Sequence, residues 1–132
     1  MSTEKVVARY ADGRVFRGYL HDFDERASDF QMEPEQGGEQ RRVALRDLKA
    51  LFFVREFRGD PRYRESTQAM PSTRQPGRTV EITFPDGEAM KGYTTTVNPR
   101  ECAGFFMTPV DPRSNNVNVF VITAAVRDIR FI

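Results

Sequence analysis

Arginines are the side chains whose spacing in this sequence best suits recognition of a ligand. Arg55, Arg58, Arg62 and Arg64 fall close together, with acidic residues between them. A guanidinium group donates paired hydrogen bonds to phosphate or carboxylate, so this cluster predicts a site for an anionic group. The interspersed acids cancel part of the charge. That leaves open a second interpretation, in which the arginines only keep a connecting segment solvated.

One histidine and one cysteine are the other residues that could carry chemistry. His21 has acidic neighbours but no second histidine or cysteine nearby in the sequence, so ligands for zinc are lacking. Cys102 follows Arg100 by two residues, but nothing in the sequence brings the histidine to it as a base. The sequence contains no phosphate-binding glycine loop, nucleophilic serine motif or dinucleotide fingerprint. We therefore expect no catalytic residue, no metal site, no cofactor and no enzymatic activity.

The charge balance and the single cysteine restrict the environment. Twenty basic and 19 acidic residues give a net charge of +1, whereas proteins that neutralise many phosphates carry a clearer surplus of cations, so the composition argues against nucleic acid. A single cysteine forms no intramolecular disulfide and favours a reducing compartment. The N-terminus lacks a signal-peptide core, and no apolar run approaches the roughly 20 residues that span a bilayer. We expect a cytoplasmic protein without membrane contact.

An internal repeat organises the chain. YADGRVFRGY at 10–19 and FPDGEAMKGY at 84–93 nearly match, and each follows a run of alternating apolar residues that is typical of a strand. Asp-Gly in each copy predicts a type I′ hairpin turn. Gly18 and Gly92 occupy equivalent places in the next strand, where a glycine predicts a bulge or bend.

The repeat continues to the end of the chain. SDFQMEP corresponds to AGFFMTP, and VALRDLKALFFV corresponds to VITAAVRDIRFI, with one 3₁₀ turn expected at RDLK. Short antiparallel strands in such number usually close into a small barrel. The sequence therefore predicts an all-β protein of two tandem small antiparallel barrels, without a long helix. The expected boundaries are 1–57 and 78–132 for the barrels and 58–77 for a Pro/Arg-rich linker or strap.

Apolar residues that the two copies do not share are candidates for an interface. Alternation along each strand directs them away from the core of their own copy. They are Phe52, Val54, Phe106 and Phe120. Leaving several such side chains in water is costly, because burying each Phe stabilises by about 1.5–3 kcal/mol. Either the two barrels pack on each other through them, or they form a homodimer seam or a docking patch for another protein.

Two resemblances add to this interpretation. GYLHDF followed by DLKALFFVREFRGDPRY resembles the signature of an uncharacterised bacterial family without assigned activity, over residues 6–63. More weakly, the pair Arg58 and Arg62 resembles the Arg-x-x-x-Arg segment of PilZ domains, barrels that bind cyclic di-GMP. If Gly104 is the glycine of the PilZ ligand turn, Pro99 and Glu101 depart from the family pattern at both ligand-facing positions. The resemblance implies a small barrel of the SH3, Sm or degenerate PilZ type, with cyclic di-GMP as its candidate ligand.

The expected function is a non-catalytic protein-interaction module, an adaptor or regulatory subunit in bacterial signalling. Its partner would be another protein or a second copy of the chain. The alternative is a binding module for a phosphate-bearing ligand, cyclic di-GMP or RNA, that uses the arginines of the strap. Small barrels host unrelated functions, so the architecture alone does not choose between them.

Overall fold

The structure is a computed structural model that describes residues 3–21, 23–58, 62, 77–111 and 113–132. The described residues form strands and three short 3₁₀ helices, which confirms the prediction of an all-β protein without a long helix. Among them, no helix has the length and hydropathy needed to cross a membrane. The strands are β1 (Thr3–Tyr10), β2 (Val15–His21), β3 (Asp29–Pro34), β4 (Arg41–Ala44), β5 (Leu48–Val54), β6 (Arg78–Thr83), β7 (Ala89–Thr94), β8 (Gly104–Pro109), β9 (Asn116–Ile122) and β10 (Asp128–Phe131). The 3₁₀ helices are Leu45–Asp47, Pro99–Glu101 and Thr123–Ala125, the first of them at the expected RDLK turn.

The strands join into one antiparallel sheet with the order β10-β6-β7-β8-β9-β5-β1-β2-β3-β4. We call residues 3–58 the first half and residues 77–132 the second half. β5, the last strand of the first half, pairs with β1 on one side and with β9 of the second half on the other. Two separately closed barrels are therefore not confirmed. To close the first half into a barrel, β5 would have to pair with β4, but in the described residues it pairs with β9 of the second half.

The strand registers repeat between the halves. Three pairs of equivalent contacts show this: Val6 with Gly18 and Val80 with Gly92, Ala8 with Leu51 and Ile82 with Ile129, and Phe30 with Val43 and Phe105 with Val121. The correspondence of VALRDLKALFFV with VITAAVRDIRFI matches Leu51 to Ile129. The strand pairing of the two halves follows the same correspondence. The boundaries 1–57, 58–77 and 78–132 stay a prediction, because only Arg58, Arg62 and Gly77 of the connecting segment are described.

The two Asp-Gly turns have the same geometry, but it is not the predicted one. Gly13 donates its N–H to the Tyr10 carbonyl at 3.0 Å, and the equivalent bond of the second half runs from Gly87 to Phe84 at 2.9 Å. The centre of the first turn is therefore Ala11 and Asp12, with the glycine after it at a φ of 99°. In the predicted type I′ turn, Asp and Gly would be the two central residues. In the observed type I turn, Asp is the second central residue and the left-handed glycine follows the turn.

The predicted bulges at Gly18 and Gly92 are also wrong in position. Register shifts occur between Arg9 and Tyr10 and between Phe53 and Val54. The two glycines are instead places where a neighbouring strand approaches closely, since a Cβ on Gly18 would meet the carbonyl oxygen of Glu33. A glycine inside a strand has either meaning, and the sequence alone does not separate them.

Strand β5 contributes to two hydrophobic cores. Leu51 and Phe53 pack in the core of the first half, while Ala50, Phe52 and Val54 pack among residues of the second half. Successive side chains of a strand point to opposite faces, so one apolar strand can serve a core on each side. The sequence LKALFFV, apolar on both faces, forms this strand because both of its faces are covered.

Candidate functional site

The four apolar interface candidates lie where the two halves meet. Phe52, Val54 and Phe120 are 5%, 9% and 2% exposed, and Phe106 is half-buried. Phe120 leaves its own half and packs in the core of the first half. Most of the surface of these three side chains is therefore covered within the chain. Their placement corresponds to the alternative in which the halves pack on each other.

Aromatic rings from both halves converge at this junction. The Phe23 ring lies 5.2 Å from Phe120, 6.0 Å from Phe106 and 5.9 Å from Phe53, measured between centroids. Most of these contacts are edge-to-face, which aromatic pairs prefer because a positive ring edge meets a negative face. Phe106 and Phe120 also contact each other at 4.9 Å. We call this group the junction cluster.

Arg55 has a structural role at the end of β5. Its backbone N–H donates to the Asn115 carbonyl at 2.9 Å, and its Nε donates to the Ser114 carbonyl at 3.1 Å. The Asn115 side chain bonds both main-chain groups of Glu56, at 3.1 and 2.9 Å. These bonds extend the connection between β5 and β9 beyond the strands themselves.

The remaining predicted arginines have different positions. Arg58 pairs with Glu35 at 3.1 Å, and its side chain is 72% exposed. Arg62 is exposed and also has an interaction partner. Arg64 lies outside the described residues. Of the four, Arg58 lines the groove described next.

A groove of about 740 Å³ runs along the junction on the outer face of β1 and β2. We call it the junction groove. Its volume falls within the range of small-molecule sites, about 300–1,000 Å³. It is lined by Val7, Arg9, Arg17, Phe52, Val54, Phe57, Arg58, Glu88, Ala89, Met90, Asn115 and Asn116. The structure thus brings Phe52 and Val54 together with Arg58. In the sequence analysis the first two belonged to the interface hypothesis and Arg58 belonged to the anion-binding hypothesis.

The floor of the junction groove is apolar and its rim is basic. Arg17, Val7 and Phe52 are directly opposite one another on β2, β1 and β5, so they share one face of the sheet. The Arg9 guanidinium lies 5.4 Å from the centroid of the Phe52 ring, within cation–π range. Sequence reasoning missed Arg9 and Arg17, although both alternate with apolar residues on their strands and so belong to the outward face.

Lys49 connects the two halves beside the groove. Its Nζ donates to Asp86 at 2.9 Å and to Glu88 at 3.0 Å, in the turn between β6 and β7. The same Nζ lies 4.4 Å from the centroid of the Phe84 ring, and the side chain is only 11% exposed. The hydrogen bond from Lys49 lowers the pKa of the Asp86 carboxyl below its ordinary value, helped by the Glu88 backbone N–H. Glu88, the acid in the groove lining, is thus engaged by Lys49.

The pairing of Lys49 with Asp86 predicts that the fold loses stability in acid. A carboxyl whose pKa is lower in the folded state than in the unfolded state stabilises the fold above its unfolded pKa. That contribution disappears as pH falls through the folded pKa of Asp86. We expect Asp86→Asn to reduce the free energy of unfolding near neutral pH, and the difference from the wild type to shrink steadily as the pH falls into the acid range. Urea denaturation at several pH values measures it. Glu39→Gln, at an exposed loop position, is the control, and a difference that is equal at all pH values would contradict the pairing.

The histidine and the cysteine have different surroundings. His21 Nδ1 lies 3.0 Å from the Thr3 hydroxyl, and its Nε2 lies 3.6 Å from Glu33. Cys102 is exposed, and its Sγ lies 3.6 Å from the Asn98 carbonyl. The described residues contain no group of three His, Cys, Asp or Glu side chains that could hold a metal ion.

The fold and the groove define a duplicated all-β protein with a ligand-sized, arginine-rimmed groove where its halves meet. The chain belongs to the family of unknown function DUF6982, whose sequence profile matches residues 2–132. No curated protein is significantly similar to it, and no solved structure is either. The resemblances to a signature family and to PilZ domains stay predictions.

Proposed function

We propose that this protein is a non-catalytic protein-interaction module, an adaptor or regulatory subunit, that binds an acidic and partly apolar segment of a partner in the junction groove. The single observation that carries the proposal is the combination of a buried apolar floor with three arginines on the rim. Glu88 is the one acid in the lining, and Lys49 engages it. Arg58 is itself paired with Glu35 at 3.1 Å, so Arg9 and Arg17 contribute most of the positive charge by which the rim favours a negatively charged partner.

The chemistry of the lining matches that of protein interfaces. Arginine and aromatic side chains carry much of the binding energy in such interfaces, near their centres. Phe57 offers a half-buried ring beside Arg58, held edge-on by Tyr19 at 5.2 Å. Partner side chains that cover Phe57 and Met90 would remove apolar surface from water, at about 25 cal/mol per Å². Carboxylates of the same segment would meet the rim.

A phosphate-bearing ligand is the second candidate for the same groove. Arg9, Arg17 and Arg58 come from β1, β2 and the segment after β5, so they line one concavity from different sides. Guanidinium groups suit phosphate as well as carboxylate. Cyclic di-GMP would place a base on the apolar floor, while RNA would extend beyond the groove along the basic rim.

The repeat supports a more detailed account of the architecture. We infer that each half is a five-stranded unit related to small barrels, in which the fifth strand of the first unit pairs with the second unit instead of closing on β4. The buried seam residues Phe52, Val54 and Phe120 then act within one chain. We accordingly expect a 15.2-kDa monomer in sedimentation equilibrium, and a dimer that Phe120→Ala dissociates would contradict this assignment of the seam.

Binding from native bacterial extract tests the proposed function. Tagged wild-type protein is compared with Arg17→Ala/Arg58→Ala, and both bound proteins and bound nucleotides are identified. We expect one stoichiometric protein partner whose affinity falls at least about tenfold in the double variant, because two charge-assisted contacts are lost. Arg26→Ala/Arg127→Ala is the matched control, since it removes two exposed arginines outside the junction groove.

Direct titration with cyclic di-GMP separates the two candidates. Binding that disappears in Arg17→Ala/Arg58→Ala would favour the phosphate ligand, and its affinity would fall steeply with salt if several phosphates are contacted. A protein partner that both forms retain equally would exclude the groove as its site. Loss of the partner in the control variant as well would show a general charge effect instead of a specific site.

A further inference from the structure

The outer edge of β4 is a second surface with the geometry to receive a partner. β4 pairs with β3, and no described strand lies on its other side. Leu45 donates its N–H to the Ser28 carbonyl at 3.0 Å. Because residues of an antiparallel ladder alternate between bonding inward and outward, the main-chain groups of Arg42 and Ala44 point away from β3. Such an edge is a template for an added strand.

The second half shows how an added strand occupies the equivalent edge. β9 corresponds to β4, because β9 pairs with β8 in the same register in which β4 pairs with β3. β9 receives β5 as its antiparallel neighbour, with Phe52 opposite Val119. Lys49 of the added strand then reaches Glu88 in the turn between β6 and β7, at 3.0 Å. Lys49 also reaches Asp86 of the same turn, at 2.9 Å. An apolar contact and two ion pairs thus accompany this strand addition.

The edge of β4 carries more positive charge than the equivalent edge of β9. In the repeat, Arg41 stands where β9 has Val119, and Arg14 stands where the second turn has Glu88, while Asp12 corresponds to Asp86. Arg41 is exposed and stacks on the Phe16 ring at 4.9 Å. The Arg14 side chain pairs with Asp12 at 2.8 Å and is 70% exposed. A concavity of about 490 Å³ lies beside this edge, lined by Tyr10, Arg14, Arg41, Arg42, Ala44, Arg46 and Asp47. An added strand therefore needs an acidic residue where β5 has Phe52, and an acid where β5 has Lys49 would compete with Asp12 for Arg14.

A second copy of the chain fits this edge poorly. The strand equivalent to β5 in a second copy is β10, which lies at the other end of the sheet. In the register of β5 on β9, Arg130 would lie opposite Arg41, and Arg127 would lie beside Arg14. Like charges directly across a strand pair are destabilising. Charge therefore disfavours assembly of copies end to end.

We propose that the open edge of β4 binds an extended acidic segment of another protein by strand addition. Main-chain groups of Arg42 and Ala44 pair with the added strand, and its carboxylates bind Arg41 and Arg14. Main-chain bonds give such complexes much of their affinity, and side-chain contacts give their specificity. This surface lies at the end of the sheet away from the junction groove and does not depend on what that groove binds.

A peptide built on β5 is the probe. It has the seven-residue sequence of β5, with glutamate in place of the residues corresponding to Lys49 and Phe52, and with both ends blocked. The control peptide carries lysine at both places. The acidic peptide is titrated into the ¹⁵N-labelled full chain. We expect the largest shifts at the amides of Arg42 and Ala44, slower hydrogen exchange of these two amides, and an affinity at least about tenfold above that of the control peptide.

Charge reversal in the protein tests the pairing independently. In Arg14→Glu/Arg41→Glu the preference is expected to invert, so that the lysine peptide binds more tightly than the acidic one. Arg26→Glu, which reverses an arginine whose side chain is 89% exposed in another loop, should leave the preference unchanged. Inversion by the variant also shows that it is folded, because a lost fold would abolish both affinities.

Other results would overturn the proposal. Shifts confined to the junction groove would place the acidic peptide there and leave β4 without the proposed ligand. Equal binding of both peptides, or binding of neither at millimolar concentration, would remove strand addition as the use of this edge. A concentration-dependent dimer whose contact shifts lie on β4 and β10 would assign the edge to a second copy.

Discussion

Replacing Phe120 by alanine is expected to lower the free energy of unfolding by about 3–5 kcal/mol, the usual cost of removing a large buried aromatic ring. Phe120 is 2% exposed and packs in the core of the half to which it does not belong. Its ring also touches Phe106 and Phe23. The cavity would therefore open in the junction cluster, where rings from both halves meet. Urea denaturation followed by far-UV circular dichroism measures the change.

The same experiment tests whether the halves form one cooperative unit. Because β5 serves both cores, we expect a single transition for the wild type and for Phe120→Ala. Val97→Ala, at a position that is 71% exposed, should change the free energy of unfolding by no more than about 0.5 kcal/mol. Two transitions, of which Phe120→Ala shifts only one, would contradict a shared interior.

Replacing Gly18 by alanine is expected to cost about 1–3 kcal/mol, as overpacking of a tight site does. The added Cβ would collide with the carbonyl oxygen of Glu33 on the neighbouring strand. A backbone carbonyl cannot rotate aside as a side chain can, so β2 and β3 would have to separate where Gly18 faces Pro34. Denaturation gives the size of the loss, and hydrogen exchange in β3 shows its location.

Arg17→Ala is the matched control for this substitution. It changes the neighbouring residue of the same strand, on the exposed face, and should alter the free energy of unfolding by no more than about 0.5 kcal/mol. The same denaturation measurement on Arg17→Ala/Arg58→Ala establishes whether the groove variant is folded. Equal stability of Gly18→Ala and the wild type would mean that the two strands can separate there at little cost.

The repeat explains how much of the fold the sequence could predict. Two copies with matching apolar positions indicated the strands, their succession along each half and the equivalence of Leu51 and Ile129. Alternation directs the equivalent residues inward in both copies. The continuous sheet was not predictable in the same way. LKALFFV indicates a strand covered on both faces, but hydrophobicity does not specify which strand or which half supplies the cover.

The candidate site was predicted in part for a similar reason. The apolar difference between the copies identified Phe52 and Phe120 as residues that needed burial, and the spacing of the arginines identified Arg58 as a candidate for an anionic ligand. Arg9 and Arg17 were missed because a charged residue that alternates along a strand has the pattern of a solvated face. Their convergence on the junction groove results from the pairing of β2, β1 and β5, which is a long-range property.

Site-specific crosslinking from the junction groove is the most direct test of the proposed function. A photoreactive residue replaces Ala89, an exposed residue of the groove lining, or Val97 as a control, in cells that express the tagged chain. The account predicts a protein crosslink from Ala89 that is missing from Val97 and disappears when Arg17→Ala/Arg58→Ala is added. Identical products from both positions, or an Ala89 product that persists without the two arginines, would contradict the junction groove as the site of a protein partner.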